Sequence, residues 1–221
     1  MKPESRIVAT LGKDALRDVP LASKADMIEV RLDLIDGDPL ETIRSVRSST
    51  NLPLIATNRR REEGGYFKGS EAQRVDLLLE ACEFADYVDI ELNAELGSEI
   101  ISRTSKPAIV SYHDFKGLPR QKDPKSILHE ISITGAAIAK IAITPSSLKD
   151  NLMLLELLLE SDMPLCVIAM GEIGRHLRAV APIYGSALTY CYISEAVAPG
   201  QMSLGDLKIA MKILMPDPNI L

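Results

Sequence analysis

Gly135-Ala-Ala-Ile-Ala-Lys-Ile-Ala-Ile-Thr-Pro145 is a run of small and branched apolar side chains interrupted by one charge and closed by a Thr-Pro turn signal. Such a run reads as a strand covered on both faces, as in a parallel sheet flanked by helices. Lys140 sits in its middle. An ammonium in a low-dielectric interior costs several kcal/mol, so this side chain has to pair with a carboxylate, reach water at the strand end, or give up its proton. Pairing or escape is the commoner fate, whereas a deprotonated lysine is a nucleophile. The remainder of the chain has to decide between them.

Outward from this strand, short β-like runs alternate with amphipathic stretches, and no Gly/Ser linker or low-complexity segment interrupts them. The pattern predicts strands at Arg6–Thr10, Met27–Leu32, Leu54–Thr57, Tyr87–Leu92, Ala108–Tyr112, Ala137–Ile143, Leu165–Ala169 and Ala187–Tyr190. Glu71–Glu83, Ser147–Glu160 and Leu204–Met215 are the most periodic helical stretches, with Ser203 and Asp206 as cap residues for the last. Eight strand–helix units in 221 residues predict one α/β domain spanning 1–221, closed as a (β/α)8 TIM barrel. An open doubly wound sheet is the alternative, but Thr10-Leu-Gly-Lys-Asp14 lacks the Gly-rich nucleotide loop expected after its first strand.

A net charge of -6 argues against a nucleic-acid partner. The apolar runs are strand-length or amphipathic and the N-terminus has no signal-peptide core, so the expectation is a cytoplasmic protein without a membrane partner. Cys82, Cys166 and Cys191 are widely spaced and lack a C-x-x-C, which fits reduced core thiols and implies no metal.

Polar residues collect within or just beyond the C-terminal ends of the expected strands: Glu29 and Arg31 on the second, Arg59 and Glu63 after the third, His113 after the fifth, Lys140 on the sixth, Met170 after the seventh. In a barrel that end is the active face. Alternation in Glu29-Val30-Arg31 turns both charges into the mouth, either to bind a ligand or to pair with each other. Asn58-Arg-Arg-Arg-Glu-Glu-Gly-Gly65 reads as a solvated turn were it not preceded by a strand. His113 is the acid/base candidate, since His129 and His176 fall in helical patterns. Met170-Gly-Glu-Ile-Gly174 reads as a loop entering a helix, on which Arg178 is either a surface charge or, from its nearness to the active face, a site residue, and Ala198-Pro-Gly-Gln201 reads as a turn that could serve as a lid.

Taken together these stretches resemble the type I 3-dehydroquinate dehydratases. The resemblance rests on Ile28-Glu-Val-Arg-Leu-Asp33, Thr57-Asn-Arg59, Glu63-Gly-Gly65, Asp89-Ile-Glu-Leu92, Ser111-Tyr-His-Asp-Phe115, Ala139-Lys-Ile-Ala142, Gly185-Ser186 and Ala198-Pro-Gly-Gln201, in register through nearly the whole chain. It implies a (β/α)8 barrel, a homodimer, no metal or organic cofactor, and syn dehydration of 3-dehydroquinate to 3-dehydroshikimate in the shikimate pathway. By position it makes Lys140 the Schiff-base lysine, His113 the general base and acid, and Glu63 the carboxylate that orients the histidine. Glu29, Arg31 and Arg59 then resemble the residues that hold substrate hydroxyls, Arg178, with nearby Arg175 as competitor, the carboxylate clamp, Met170 the apolar wall, and Gln201 part of a closing loop. Thr10 takes the place of a substrate-facing serine. Val197 stands where many members have a substrate-contacting serine, Tyr190 where phenylalanine is usual, and Ile168 where methionine is frequent. A class I aldolase or transaldolase, which would need a phosphate site after the last strands, and a catalytically inactive barrel are the competing readings.

Overall fold

The computed structural model describes residues 5–117 and 123–214. Its strands are β1 (Arg6–Leu11), β2 (Met27–Arg31), β3 (Leu54–Thr57), β4 (Tyr87–Glu91), β5 (Ala108–Asp114), β6 (Ile138–Ile143), β7 (Leu165–Ala169), β8 (Leu188–Tyr192) and β9 (Met202–Ser203). Its helices are α1 (Ala15–Asp18), α2 (Pro39–Ser49), α3 (Glu71–Ala81), α4 (Gly97–Arg103), α5 (Pro124–Ser132), α6 (Leu148–Glu160), α7 (Gly171–Gly174), α8 (Leu177–Val180) and α9 (Leu204–Leu214). All strand pairs are parallel, in the order β7-β6-β5-β4-β3-β2-β1-β8-β9. Each long strand is followed by helix, and the sheet curls until β7 meets β8: a (β/α)8 barrel.

Local chemistry starts the helices where the chain asks for them. Asp38 accepts hydrogen bonds from the Leu40 and Glu41 amides ahead of Pro39 in α2, and Ser70 and Gln73 form a reciprocal capping box on α3. Asp150 accepts from the Ser146 and Ser147 amides at the start of α6. Ser203 accepts from the Asp206 amide at 3.1 Å, as its cap role predicts.

Two apolar layers follow from strand alternation. Ile28, Val30, Ala56, Val88, Ile90, Val110, Ala139, Ile141 and Ile143 face outward into the core beneath the helices. Their neighbours Val8, Met27, Ile55, Ile109, Ile138, Cys166 and Leu188 fill the barrel interior. Because Ala139 and Ile141 pack outward, Lys140 between them must point toward the barrel axis. It is 3% exposed, so the escape to water at the strand end does not occur.

Several boundaries differ from expectation. β5 pairs with β6 out to Asp114↔Ile143, so His113 lies on the strand rather than after it. Leu32 opens a 3-10 turn instead of extending β2, β8 runs later than Ala187–Tyr190, and β9 has no counterpart in the expected pattern. Two residues make β9, too few for alternation to announce it. Met215 and the tail 216–221 lie outside the described residues.

The barrel closes differently at β7 and β8 from elsewhere. Only Ala187 N to Leu165 O, at 2.8 Å, joins the backbones here among the described bonds outside strand ladders. Ser186 supplies what a ladder would: its hydroxyl accepts from Val167 N at 3.2 Å and donates to Leu188 O at 2.9 Å, fully buried. Ser186→Ala therefore strands the buried Val167 amide and leaves Leu188 O only the Cys166 thiol at 3.3 Å, and should lower unfolding free energy in urea by about 1–3 kcal/mol. An unchanged urea midpoint would show that the seam does not depend on this hydroxyl.

Candidate active site

The polar interior begins one layer above the apolar floor. Along β2, β4, β5 and β6 the inward positions change from Met27, Tyr87, Ile109 and Ile138 to Glu29, Asp89, Ser111 and Lys140. The next inward positions are Arg31, Glu91 and His113. The cavity at this end is lined by Thr10, Glu29, Arg31, Arg59, Glu63, His113, Lys140, Ile168, Met170, Arg178, Tyr190, Val197 and Gln201, among others. Every residue to which the family resemblance gives a site role is thus brought to one place.

Lys140 Nζ lies 2.9 Å from Asp89 Oδ2, 3.7 Å from Glu29 Oε1, and 4.3 Å from the centre of the Tyr190 ring. The lysine has therefore paired. Asp89 Oδ1 also receives Ser111 Oγ at 2.7 Å and Arg59 Nη2 at 2.8 Å, and Arg59 Nη1 continues to Glu91 at 2.9 Å. Burial alone would raise the Asp89 carboxyl, but Arg59 and Lys140 outweigh it and hold it well below the carboxylate range. Glu29 does not pair with Arg31. It accepts from Thr10 at 3.1 Å and Thr57 at 3.0 Å, while Arg31 grips Asp33 bidentately at 2.8 and 2.7 Å.

His113 and Glu63 form the second unit. Glu63 Oε2 accepts from the His113 backbone amide and faces its Nδ1, both at 3.0 Å. The turn Arg61–Glu63 carries the carboxylate there, and Gly64 ends it at φ +83. Burial pushes the Glu63 carboxyl up to about 7, against the opposing charge of Arg59. Burial, joined by the charges of Arg59 and Lys140, holds the imidazole well below its ordinary range. At neutral pH the ring is an uncharged base.

Arg178 is unlike the other buried arginines. It is 3% exposed, and its guanidinium meets only carbonyls: Gly200 at 2.8 Å, Pro199 at 3.2 Å and Tyr190 at 3.4 Å. No carboxylate pairs with it among the described residues, and burial lowers it to about 10. Arg175, its rival in the sequence, is exposed and paired with Glu172 at 2.9 Å. His129 and His176 are exposed on α5 and beside α8. Gln201 ties the loop after β8 to the mouth, accepting from Val197 N at 2.9 Å and reaching Thr10 at 3.5 Å.

Sequence reasoning passed over Asp89, Glu91, Ser111 and Asp33 as site residues. The signal was present: Val88 and Ile90 pack outward, so Tyr87-Val-Asp-Ile-Glu91 turns both acids inward by the rule that placed Glu29 and Arg31. Among the described residues no cluster of His, Cys, Asp and Glu is arranged to hold a metal ion.

Fold and site define an α/β-barrel enzyme with a buried ionic cluster and a neutral histidine at the C-terminal mouth of its strands. Residues 7–217 match the family model of type I 3-dehydroquinase. A 3-dehydroquinate dehydratase from Methanothrix thermoacetophila is 50% identical over 210 residues, covering 94% of this chain and 91% of that protein. One from Methanococcoides burtonii is 41% identical over 219 residues, covering 94% of each. The crystal structure of 3-dehydroquinate dehydratase from Geobacillus kaustophilus HTA426 superposes with a TM-score of 0.88 at 30% identity, over 96% of this chain and 91% of that one. The chain belongs to the type I 3-dehydroquinase family. Its reaction is accordingly the dehydration of 3-dehydroquinate, a step of the shikimate pathway, which makes it a carbon–oxygen lyase.

Ionised Glu63 stabilises positive charge on His113, and it is ionised only above about 7. kcat/KM should therefore fall as pH drops below that value, and Glu63→Gln should remove this limb and leave a lower, flatter profile. A pH–rate profile of both proteins tests it; superimposable limbs would leave Glu63 a structural role only.

Proposed function

We propose that this enzyme dehydrates 3-dehydroquinate to 3-dehydroshikimate by syn elimination through an imine on Lys140. The observation that carries the reading is a single cavity lined by both the Lys140 amine and the His113–Glu63 pair. Lys140 passes one proton of its ammonium to the neutral His113 ring and attacks the substrate ketone as the free amine; the nitrogen gives a second proton to the oxygen, His113 returns the first, water leaves, and the resulting protonated imine is an electron sink. The adjacent carbon then loses a proton to His113, and the electrons move into the imine to give an enamine. Their return expels the β-hydroxyl, which takes the proton from His113 and departs as water. With Nδ1 on Glu63, Nε2 is the nitrogen left for both transfers, and one base on one face gives the syn outcome. Hydrolysis of the product imine frees Lys140. The iminium supplies the electron sink, so the scheme needs no metal or organic cofactor.

The same reading assigns the rest of the cavity. Asp89, 2.9 Å from Nζ, stays beside a nitrogen that is cationic as ammonium and as iminium. Glu29, Arg31, Arg59 and Thr10 serve the substrate hydroxyls, and Met170 walls the ring. Arg178, buried without a carboxylate partner among the described residues, takes the substrate carboxylate bidentately. Val197 and Gln201 belong to the loop that closes over it. A phosphate-binding aldolase is disfavoured because Gly185, which ends a 3-10 turn, and Ser186, whose hydroxyl bridges β7 and β8, are engaged in the barrel itself.

Borohydride added with 3-dehydroquinate should fix a reduced ligand mass on the peptide containing Lys140. Lys140→Ala should lose both the adduct and turnover. His113→Ala should still accumulate adduct while losing at least ~100-fold in kcat, the scale of one acid/base group. Label on a different lysine, or wild-type turnover in either variant, would overturn the assignment.

We infer further that 1–221 acts as one catalytic domain, as a homodimer, in the cytoplasm. Buried free Cys82, Cys166 and Cys191 fit a reducing compartment. Leu148, Leu152 and Leu159 are exposed on one face of α6, with Ile173 and Tyr184 exposed on segments packed beside it. Light scattering should give twice the chain mass for the wild type and the chain mass for Leu152→Glu; a monomeric wild type would sink the dimer.

A further inference from the structure

Tyr190 carries an atom for which the fold has no use. Its side chain is 3% exposed, lines the cavity shared by Lys140 and His113, and presents its ring to Lys140 Nζ at 4.3 Å from the centroid. The ring face attracts an ammonium and limits where the amine can sit. The hydroxyl does neither. Tyr190 Oη is buried, and among the described residues no group donates to it or accepts from it.

An unpaired buried hydroxyl destabilises the folded chain, and phenylalanine would fill the same ring volume without it. The polar groups of the neighbourhood are already committed. The Glu29 oxygens accept from Thr10 and Thr57, and those of Asp89 accept from Ser111, Arg59 and Lys140. A rigid phenol fixes its oxygen to the ring against which Nζ rests, so this free donor is carried by the side chain that touches the atom that forms the imine. Burial, reinforced by the charge of Glu29, pushes the phenol well above its ordinary range, so it remains protonated and able to donate.

We propose that the Tyr190 hydroxyl is the hydrogen-bond donor to the oxygen on the carbon that Lys140 attacks. That oxygen is the carbinolamine hydroxyl when the imine forms, and the incoming water when the product imine is hydrolysed. In the first event the C–N bond forms, the two protons that nitrogen gives up in passing from ammonium to iminium are taken up by the carbonyl oxygen, and the carbon–oxygen bond breaks as it leaves as water; the second is the reverse. Tyr190 shares its proton with this oxygen and does not transfer it. The inference rests on the imine reading above, and it concerns carbon–oxygen bond making at the imine carbon rather than the proton transfers of His113. Where a phenylalanine occupies this place the ring contact remains, so the hydroxyl sets a rate and is not indispensable.

The test is Tyr190→Phe, which keeps the ring and deletes the donor. Single-turnover mixtures are quenched with borohydride at intervals, and the adduct on Lys140 is measured by mass. Adduct build-up should be about five- to tenfold slower, the fold-change of one neutral hydrogen bond. The kinetic isotope effect for substrate deuterated beside the ketone should fall, because imine formation becomes more rate-limiting. The melting temperature should be unchanged or higher, since an orphaned polar atom has been removed. Adduct build-up at the wild-type rate overturns the proposal. So does a slowed build-up accompanied by a lowered melting temperature, which would make the hydroxyl part of the fold. Failure of the wild type to form any adduct on Lys140 would instead overturn the imine reading itself.

Discussion

The pairing of one carboxylate, Asp89, with both Lys140 and Arg59 is the contact on which the barrel mouth depends. Each of the three side chains is within a few per cent of complete burial, so none has water to fall back on. Isolated, any of them would be driven toward its neutral form. Together they extend through Glu91 to Arg74 and balance charge within a few ångströms. Taking one member out of such a set costs about 3–5 kcal/mol, because the partner left behind is a buried, uncompensated charge. The cluster also determines what its neighbours do: Arg59 and Lys140, paired though they are, still add to burial in keeping His113 uncharged.

Two groups at the rim stand outside that balance. Glu63 is buried enough to resist ionisation, and Arg178 is buried with carbonyl oxygens and, among the described residues, no carboxylate against it. Both are held away from their ordinary equilibria by desolvation, in opposite directions: the acid is raised and the base lowered. The electrostatic tension of the cavity is thereby concentrated at these two positions. The dry ionic cluster beneath remains a rigid floor.

Much of this was legible in the chain. Alternation around Lys140 located a strand buried on both faces, and repeated strand–helix spacing located the barrel, because both depend on local periodicity that burial enforces. The rim residues were readable because barrels display them at strand ends, and the motifs from Ile28 to Gln201 carried the family. Asp89 escaped notice as Lys140's partner because 51 residues separate them and only the parallel ladders through β5 bring them together. The fate of Lys140 therefore could not be settled from its own strand. The commitment of Arg31 to Asp33 and the lack of a carboxylate on Arg178 among the described residues were likewise out of reach, since each follows from where side chains stop rather than from which residues occur.

Ser186 gives the barrel a mechanical character that its topology conceals. Seven junctions among the eight long strands are ladders, and the junction of β7 with β8 is held instead, among the described residues, by the Ser186 hydroxyl, the Cys166 thiol on Leu188 O and a single close backbone bond. The molecule is a closed ring by topology and a split ring by mechanics. With the fewest backbone bonds to break, this wall is where local opening should cost least, while the ionic cluster between β2 and β6 sits among complete ladders. The two segments at the upper end of that wall, Met170–Gly171 and Pro199–Gly200, touch through the Gly171 amide and the Pro199 carbonyl at 3.1 Å, and a side chain on Gly200 would collide with Gly171. Any such opening would reach the rim of the cavity through these two touching segments before it reached the groups that carry charge.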